Sequence, residues 1–300
     1  AGAATADVCK GETYTLDATA KNGTIAWTAN NGSGTAGFSN ATVEDPVYTP
    51  TAADLAAGSV TLTMTVTGTG AGCTSTTATD TIVITLSDAP TADAGDATAT
   101  ICQGSDYTLV ATATNGSIVW TANNGAGIGV NTGSFSDANI EDPVYTPSAA
   151  DITAGTVTLT MTVTGTGAGC TGETPSDAIV VTISPTSVGG TVSGGATVCS
   201  GTNSTNLSLT GNTGNVVRWE SSTDNFATAG TPIANTTTSL TATNLTATIY
   251  YRAVVQSGAC TEASSSSATI AVSPTSVGGL TSGGASVCSG TNSTTLSLTG

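Results

Sequence analysis

The chain repeats itself, and that repetition limits what it can fold into more than any other feature. The segment "CKGETYTLDATAKNGTIAWTANNG" from Cys9 recurs as "CQGSDYTLVATATNGSIVWTANNG" from Cys102, an offset of 93 residues (102 − 9). Further on, "VEDPVYTPTAADLAAGSVTLTMTVTGTGAGC" recurs as "IEDPVYTPSAADITAGTVTLTMTVTGTGAGC" at an offset of 97 (170 − 73), so the second copy carries 4 extra residues (97 − 93), around "GVNTGSFSD". A second repeat type follows. Ser187–Gly211 returns as Ser276–Gly300 at an offset of 89 (276 − 187), with 21 of 25 positions identical. The reading is residues 1–88 as repeat 1, 89–184 as repeat 2, 185–273 as repeat 3 and 274–300 as the truncated start of repeat 4. Because "AGAATADVC" matches "AGDATATIC" and repeat 4 stops early, the array is expected to continue beyond both ends.

Within a repeat the apolar pattern has a period of two. Val60, Leu62, Met64 and Val66 alternate with threonines, and Val157, Leu159, Met161 and Val163 repeat the pattern. Ile25 and Trp27 alternate in the same way, as do Ile82, Ile84 and Leu86. Such alternation predicts strands with one buried and one solvated face. Turn signals such as "KNG", "NNGSG" and "GTGAG" separate them, which predicts sandwiches rather than a single large sheet. The expected fold class is all-β: tandem immunoglobulin-like or fibronectin III-like β-sandwich domains in an extended array. One tryptophan per repeat (Trp27, Trp120, Trp219) is placed in the core on its alternating strand. The segments "TPTAADLAAG" and "TPSAADITAG" read as helical turns between sheets, with Asp54 and Asp151 as turn or cap residues.

Charge and composition exclude several function classes. The chain has 20 acidic and 4 basic residues, a formal charge of −16 and no histidine. Four scattered cations cannot make the basic stripe that phosphate contacts need, so nucleic acid is excluded as a partner, and an anionic membrane surface is disfavoured. Without histidine the commonest general base and zinc ligand are both missing. No apolar run is long enough to insert in a membrane.

The seven cysteines have no C-x₂-C pair, and their spacing follows the repeat, which argues for disulfides in an oxidising, extracellular setting. Two pairings compete. Each repeat closed on itself gives Cys9–Cys73, Cys102–Cys170 and Cys199–Cys260, each contributing about 4 kcal/mol in the chain-entropy model. Sandwich topology instead puts Cys9 and Cys73 at opposite ends of one domain. It gives Cys9–Cys170 and Cys102–Cys260 between successive repeats, leaving Cys73, Cys199 and Cys288 for domains outside this sequence.

"PTADAGDATATICQGSDYTL", the downstream "GAGC" and "SPTSVGGTVSGGATVCSGTNST" resemble PKD-like and Ig-like repeats of large Bacteroidetes surface adhesins and gliding-associated proteins exported by the type IX system. "SLTATNLTATIYYRAVV" in repeat 3 resembles the corresponding part of fibronectin type III modules. The resemblance implies secretion, a cell-surface location and a role in adhesion, gliding or filament formation.

Other acidic and hydroxyl groups are candidate sites. Glu44–Asp45 and Glu141–Asp142 precede a proline in a strand-entry loop, and neighbours on a strand point to opposite faces, unlike a glycosidase pair. Asp88, Asp93 and Asp96 near a domain junction are a weak candidate set for Ca²⁺, and no other cofactor is expected. Thr81, in "DTI", matches the short O-glycosylation signal of the implied bacterial group, and its alternation with Ile82 should turn it to solvent. The functional expectation is a non-enzymatic, disulfide-braced stalk. Its partners would be neighbouring repeats, surface polysaccharide or other copies in a filament. The alternatives are a polysaccharide- or host-surface-binding module and the spacer region of a large secreted hydrolase.

Overall fold

The computed structural model describes residues 1–74 and 76–300. It divides into two compact units, Ala1–Ile183 and Ser184–Gly300. Both are built from β-strands, and the first unit holds two separate hydrophobic cores.

In the first of these, four strands form one layer in the order Thr5–Cys9, Thr77–Ser87, Ser59–Gly68, Gly23–Ala29. The outer pair Thr5–Cys9 and Thr77–Ser87 is parallel, with Cys9 opposite Ser87, and the other pairs are antiparallel. The facing layer is shorter: Tyr14–Thr15 pairs with Val47–Tyr48, and Phe38 bridges to Tyr48. Val60, Leu62, Ile82 and Ile84 are fully buried between the layers, while Thr61 and Val83 between them face outward. At about 25 cal/mol per Å² of apolar surface, these alternating residues supply most of the drive to fold, and a one-residue slip would turn the whole set to water.

The second sandwich repeats this plan. Its main layer runs Gly116–Asn123, Thr156–Gly165, Ser176–Ser184, Thr98–Cys102. The opposite side carries Ser134–Phe135, Val144–Thr146 and Tyr107–Thr108, with Thr91–Asp93 paired to Thr112–Thr114. The 4-residue insertion (97 − 93) read from the sequence falls in the loop before Ser134–Phe135 and leaves Ile128 and Val130 exposed.

The unit from Ser184 has a wider sheet, ordered Ala196–Cys199, Ala268–Ser273, Ile249–Gln256, Asn215–Ser222, Thr231–Ile233, with Ala263–Ser264 on Ile249–Gln256. It is faced by Thr191–Ser193, Ser204–Thr210 and Ser239–Thr243. Beyond Ser273, Leu280–Ser282 pairs with Ser297–Thr299, and both strands are exposed throughout. Two strands cannot enclose a core.

The tryptophans occupy equivalent places. Trp27, Trp120 and Trp219 are all buried, and each indole N–H donates to a backbone carbonyl, of Val43, Ile140 and Thr237 respectively, at 2.9–3.0 Å. Phe38 and Phe135 lie between tryptophan and tyrosine in the first two cores, at ring separations of 6.0 and 4.7 Å, and 6.1 and 4.9 Å. Most of the few aromatics lie in or against the three cores.

The two short helices, Ala52–Ala57 and Ala149–Ala154, begin with capping boxes and end at Gly58 and Gly155 in the left-handed region. Their aspartates do more than cap. Asp54 is fully buried and accepts hydrogen bonds from the Tyr48 hydroxyl (2.6 Å), the Thr51 amide (2.8 Å) and hydroxyl (2.7 Å), and Asn31 (3.1 Å). Asp151 accepts from Tyr145 (2.9 Å), the Ser148 amide (2.7 Å), Asn124 (3.0 Å) and the Gly133 amide (2.8 Å). In the first sandwich Ser33 Oγ approaches Asp54 at 3.2 Å where the second uses Gly133.

Candidate functional site

Cys9 and Cys170 are joined by a disulfide across 161 residues of sequence, with Cα atoms 4.7 Å apart. It ties the end of the first sandwich to a hairpin tip of the second. The first sandwich alone shows why Cys9 does not reach Cys73. Cys9 lies beside Ser87, the last residue of the 11-residue strand Thr77–Ser87, whereas Cys73 precedes that strand's first residue. The ten rises of that strand, at ~3.3 Å each, separate the two by roughly 33 Å, against the ~7 Å that a disulfide tolerates. Cys73, Cys199 and Cys288 are exposed free thiols among the described residues, so they are not disulfide partners within this chain. Cys102 and Cys260 are disulfide-bonded.

The hairpin carrying Cys170 is shaped for this contact. Its sequence is Gly165-Thr-Gly167-Ala-Gly169-Cys170, and the Cys170 amide donates to the Gly167 carbonyl at 2.9 Å. A Cβ on Gly167 would stand 2.9 Å from Ser87 Cβ, and one on Gly169 would stand 2.6 Å from the backbone nitrogen of Val8. Gly169 also has a positive φ of 81°, which favours glycine on conformational grounds. Both glycines therefore let the hairpin backbone lie against the first sandwich's terminal strands. Cys170 Sγ sits 3.5 Å from the carbonyl oxygens of both Ser87 and Asp88. Beside it, Lys10 Nζ pairs with Asp88 Oδ1 at 2.7 Å. In the unit from Ser184, Cys260 Sγ lies 3.6 and 3.3 Å from the carbonyls of Ser184 and Pro185. The sulfur-to-linker geometry thus recurs.

The remaining sequence candidates are separate from this junction or spread around it. Asp88 is taken by Lys10, and Asp93 accepts from the Gly95 amide in its own loop at 2.9 Å. Asp96 lies near Tyr107, where burial first and the Asp96 charge second raise the phenol's pKa. The structure does not bring these three carboxylates together. Among the described residues no group of three or more His, Cys, Asp or Glu is placed to hold a metal ion. Thr81 is exposed, and its amide donates to Asp80 at 2.9 Å.

The two Glu–Asp pairs require a correction. They lie in bends, as their strand-entry position implies, but both members point to one neighbouring segment instead of to opposite faces. Asp45 and Glu44 accept from the amides of Ala18 and Ala20 at 2.7 and 2.6 Å, and Asp142 and Glu141 accept from Ala111 and Ala113, each at 2.9 Å. Carboxylates here stand in for a missing strand, satisfying alternate amides along one edge.

Repeat 3 concentrates the chain's arginines. Glu220 is buried and held by Arg218 at 2.8 Å and Arg252 at 2.7 Å, and Arg252 also stacks 4.1 Å over Phe226. Burial alone would raise the Glu220 pKa, but hydrogen bonds from Arg252 and Arg218 lower it overall. The cluster is an internal brace between neighbouring strands.

Residues 188–274 match a family described as a domain of unknown function (DUF8696). No curated protein matches the chain. The structure is similar to the N-terminal eight Ig domains of Down Syndrome Cell Adhesion Molecule isoform 1.30.30, at 12% identity and a TM-score of 0.53. The match covers 91% of this chain and 36% of that one, so the chain spans little more than a third of that structure. An I-band fragment from titin also matches, at 11% identity and a TM-score of 0.39, covering 91% of this chain and 96% of the fragment. At 12% identity the first likeness speaks for fold alone, and the fold is all-β, with Ig-like β-sandwiches in tandem.

Proposed function

We propose that this chain is a structural repeat segment of an extracellular adhesin or surface filament, a disulfide-braced stalk that serves adhesion or gliding. The observation that carries this reading is the Cys9–Cys170 bond, which joins two sandwiches instead of closing one. A bond within a domain would add only to that domain's stability. A bond between domains restricts bending at their junction, which matters when the junction transmits force. The absence of histidine, the use of aromatics in cores and the engagement of the buried carboxylates in structural hydrogen bonds all support a non-enzymatic role. Disulfides favour an extracellular setting, and the cell surface is the location we assign. The resemblance to surface-adhesin repeats makes the type IX export route and a bacterial surface the specific form of the proposal. The partners that fit are neighbouring repeats, other copies and surface polysaccharide. Among the described residues no helix is long and apolar enough to cross a membrane.

Non-reducing peptide mapping of the purified chain, combined with electron microscopy of the intact protein, tests this reading. Recovery of Cys9 linked to Cys170 and a long regular fibre are expected. Recovery of Cys9 linked to Cys73, or a compact particle, would overturn it. The Cys102–Cys260 pairing read from the sequence is tested in the same digest.

A further inference from the structure

Asn22, Asn31, Asn115 and Asn124 each precede a glycine. In that pairing the side-chain amide carbon lies open to the next backbone nitrogen, because glycine has no Cβ to block the approach. The fold restrains all of them except Asn31. Asn22 and Asn115 immediately precede the strands Gly23–Ala29 and Gly116–Asn123. Their carbonyls accept from the Thr69 and Thr166 amides, each at 3.1 Å. A Cβ on Gly23 or Gly116 would stand 2.5 Å from the carbonyl oxygen of Thr67 or Thr164, so both peptides are crowded as well. Asn124 is half-buried, and its Oδ1 accepts from the Ala126 amide at 3.1 Å. The Gly125 amide donates to Asn123 Oδ1 at 2.8 Å, which occupies the nitrogen that would have to attack.

Asn31 and Gly32 are both exposed, at the tip of a turn. The turn is closed by the Ser33 amide on the Asn30 carbonyl at 3.1 Å and the Gly34 amide on the Ala29 carbonyl at 3.2 Å, which leaves the tip peptide outside its hydrogen bonds. Among the described residues neither the Gly32 amide nor the Asn31 carbonyl makes a hydrogen bond within the chain. Nothing lies within 4 Å of where a Gly32 Cβ would be. The Asn31 side chain, by contrast, is pinned. Its Nδ2 donates to Asp54 Oδ1 at 3.1 Å and to the Ser59 carbonyl at 2.8 Å. An unengaged backbone nitrogen therefore follows a fixed amide carbon.

We propose that Asn31 is a self-modification site, deamidated by attack of the Gly32 nitrogen, and that its conversion weakens the Asp54 hub. The Gly32 nitrogen gives its proton to solvent and bonds to Asn31 Cγ. The Cγ–Nδ2 bond breaks, and ammonia leaves with a proton taken back from solvent. Water then opens the resulting succinimide. Opening at the side-chain carbonyl yields aspartate, and opening at the main-chain carbonyl yields isoaspartate, with the backbone rerouted through the side chain. One water is consumed and one ammonia released, with no oxidant or reductant. In either product a group that donated to two oxygens becomes a carboxylate beside them. Asp54 is fully buried, and its carboxylate already accepts from Tyr48 and Thr51. Like charges then face each other, and the Ser59 carbonyl loses its donor. Asn124 does the same work for Asp151, at 3.0 Å, but with its neighbouring glycine amide engaged. The first sandwich therefore ages and the second does not.

The test ages the full chain in mildly alkaline buffer, with a parallel sample in urea. Both are digested at acidic pH and mapped by mass spectrometry with isoaspartate detection. In the folded chain Asn31 should convert roughly tenfold or more faster than Asn124, the factor that the additional hydrogen bonds at Asn124 and Gly125 impose. In urea the two rates should converge, since both sites read Asn-Asn-Gly. Asn123→Ala, which releases the Gly125 amide, should raise the Asn124 rate by roughly the same factor. Molecules converted at Asn31 should show faster hydrogen exchange at the Thr51 amide, which donates to Asp54 at 2.8 Å. Equal rates at Asn31 and Asn124 in the folded chain would overturn the proposal. So would an Asn31 rate on the order of a hundredfold below its rate in urea, which would show that the fold protects this turn too. An Asn124 rate unmoved by Asn123→Ala, or conversion of Asn31 with unaltered exchange at Thr51, would do the same.

Discussion

The two buried aspartates show how a single side chain can fix the meeting of three segments. Asp54 draws the tip near Asn31, the strand carrying Tyr48 and its own helix onto one carboxylate. Removing it strands several donors at once, so Asp151→Ala should lower the stability of its sandwich by about 2–4 kcal/mol, given ~1–3 kcal/mol for each buried group left unpaired. Urea denaturation followed by tryptophan fluorescence would read this. Burial pushes both aspartate pKa values up. Hydrogen bonds from Tyr48, Thr51 and Asn31 on Asp54, and from Ser148, Tyr145, Gly133 and Asn124 on Asp151, outweigh it and leave both below their ordinary value. A depressed folded pKa contributes stability that is complete above the unfolded aspartate value of about 3.9 and is lost as pH falls through the folded value. Melting temperature should therefore hold between neutral pH and about pH 5 and drop below about pH 4. In Asp54→Asn/Asp151→Asn the neutral-pH stability should be lower and the acid slope shallower; an unchanged slope would refute the assignment. Trp120→Ala should cost about 3–5 kcal/mol, as for other large buried aromatics, while a loss under ~1 kcal/mol would contradict the burial described here.

Among the elements, the long strands were legible in the sequence and the short facing ones were not. Thr156–Gly165 declares itself because every second residue is buried, a pattern set by one wet and one dry face. Tyr14–Thr15 and Val47–Tyr48 have 2 residues each, too few for a period to emerge. The Glu–Asp pairs were misread for a related reason. Their work depends on amides some 24–31 residues away in sequence, which no local pattern reveals. The aspartate hubs left a partial trace in the Thr51-x-x-Asp54 and Ser148-x-x-Asp151 spacing of a capping box, although their burial and tyrosine partners did not show. Asp142→Ala should leave the buried Ala111 amide unpaired, costing about 1–2 kcal/mol and speeding hydrogen exchange at Ala111. Glu141→Ala, acting at the more exposed Ala113, should do less. Equal effects of the two substitutions would show that the carboxylates are not replacing strand contacts as described.

On the scale of the whole molecule, the disulfide changes what the covalent chain is. The 161 residues that separate Cys9 from Cys170 along the backbone are bypassed by one bond. A tension applied to the two ends would cross that bond instead of peeling the sandwiches open one after the other. The protein would then respond as a strap with stored slack. Fully extended chain spans about 3.4 Å per residue, so opening this disulfide should release up to about 550 Å of additional length from the bypass. Force spectroscopy of the full chain, pulled before and after reduction, would show that increment as length that appears only with reductant. Under oxidising conditions the slack stays locked, and the same polypeptide is shorter and stiffer under load than its residue count suggests.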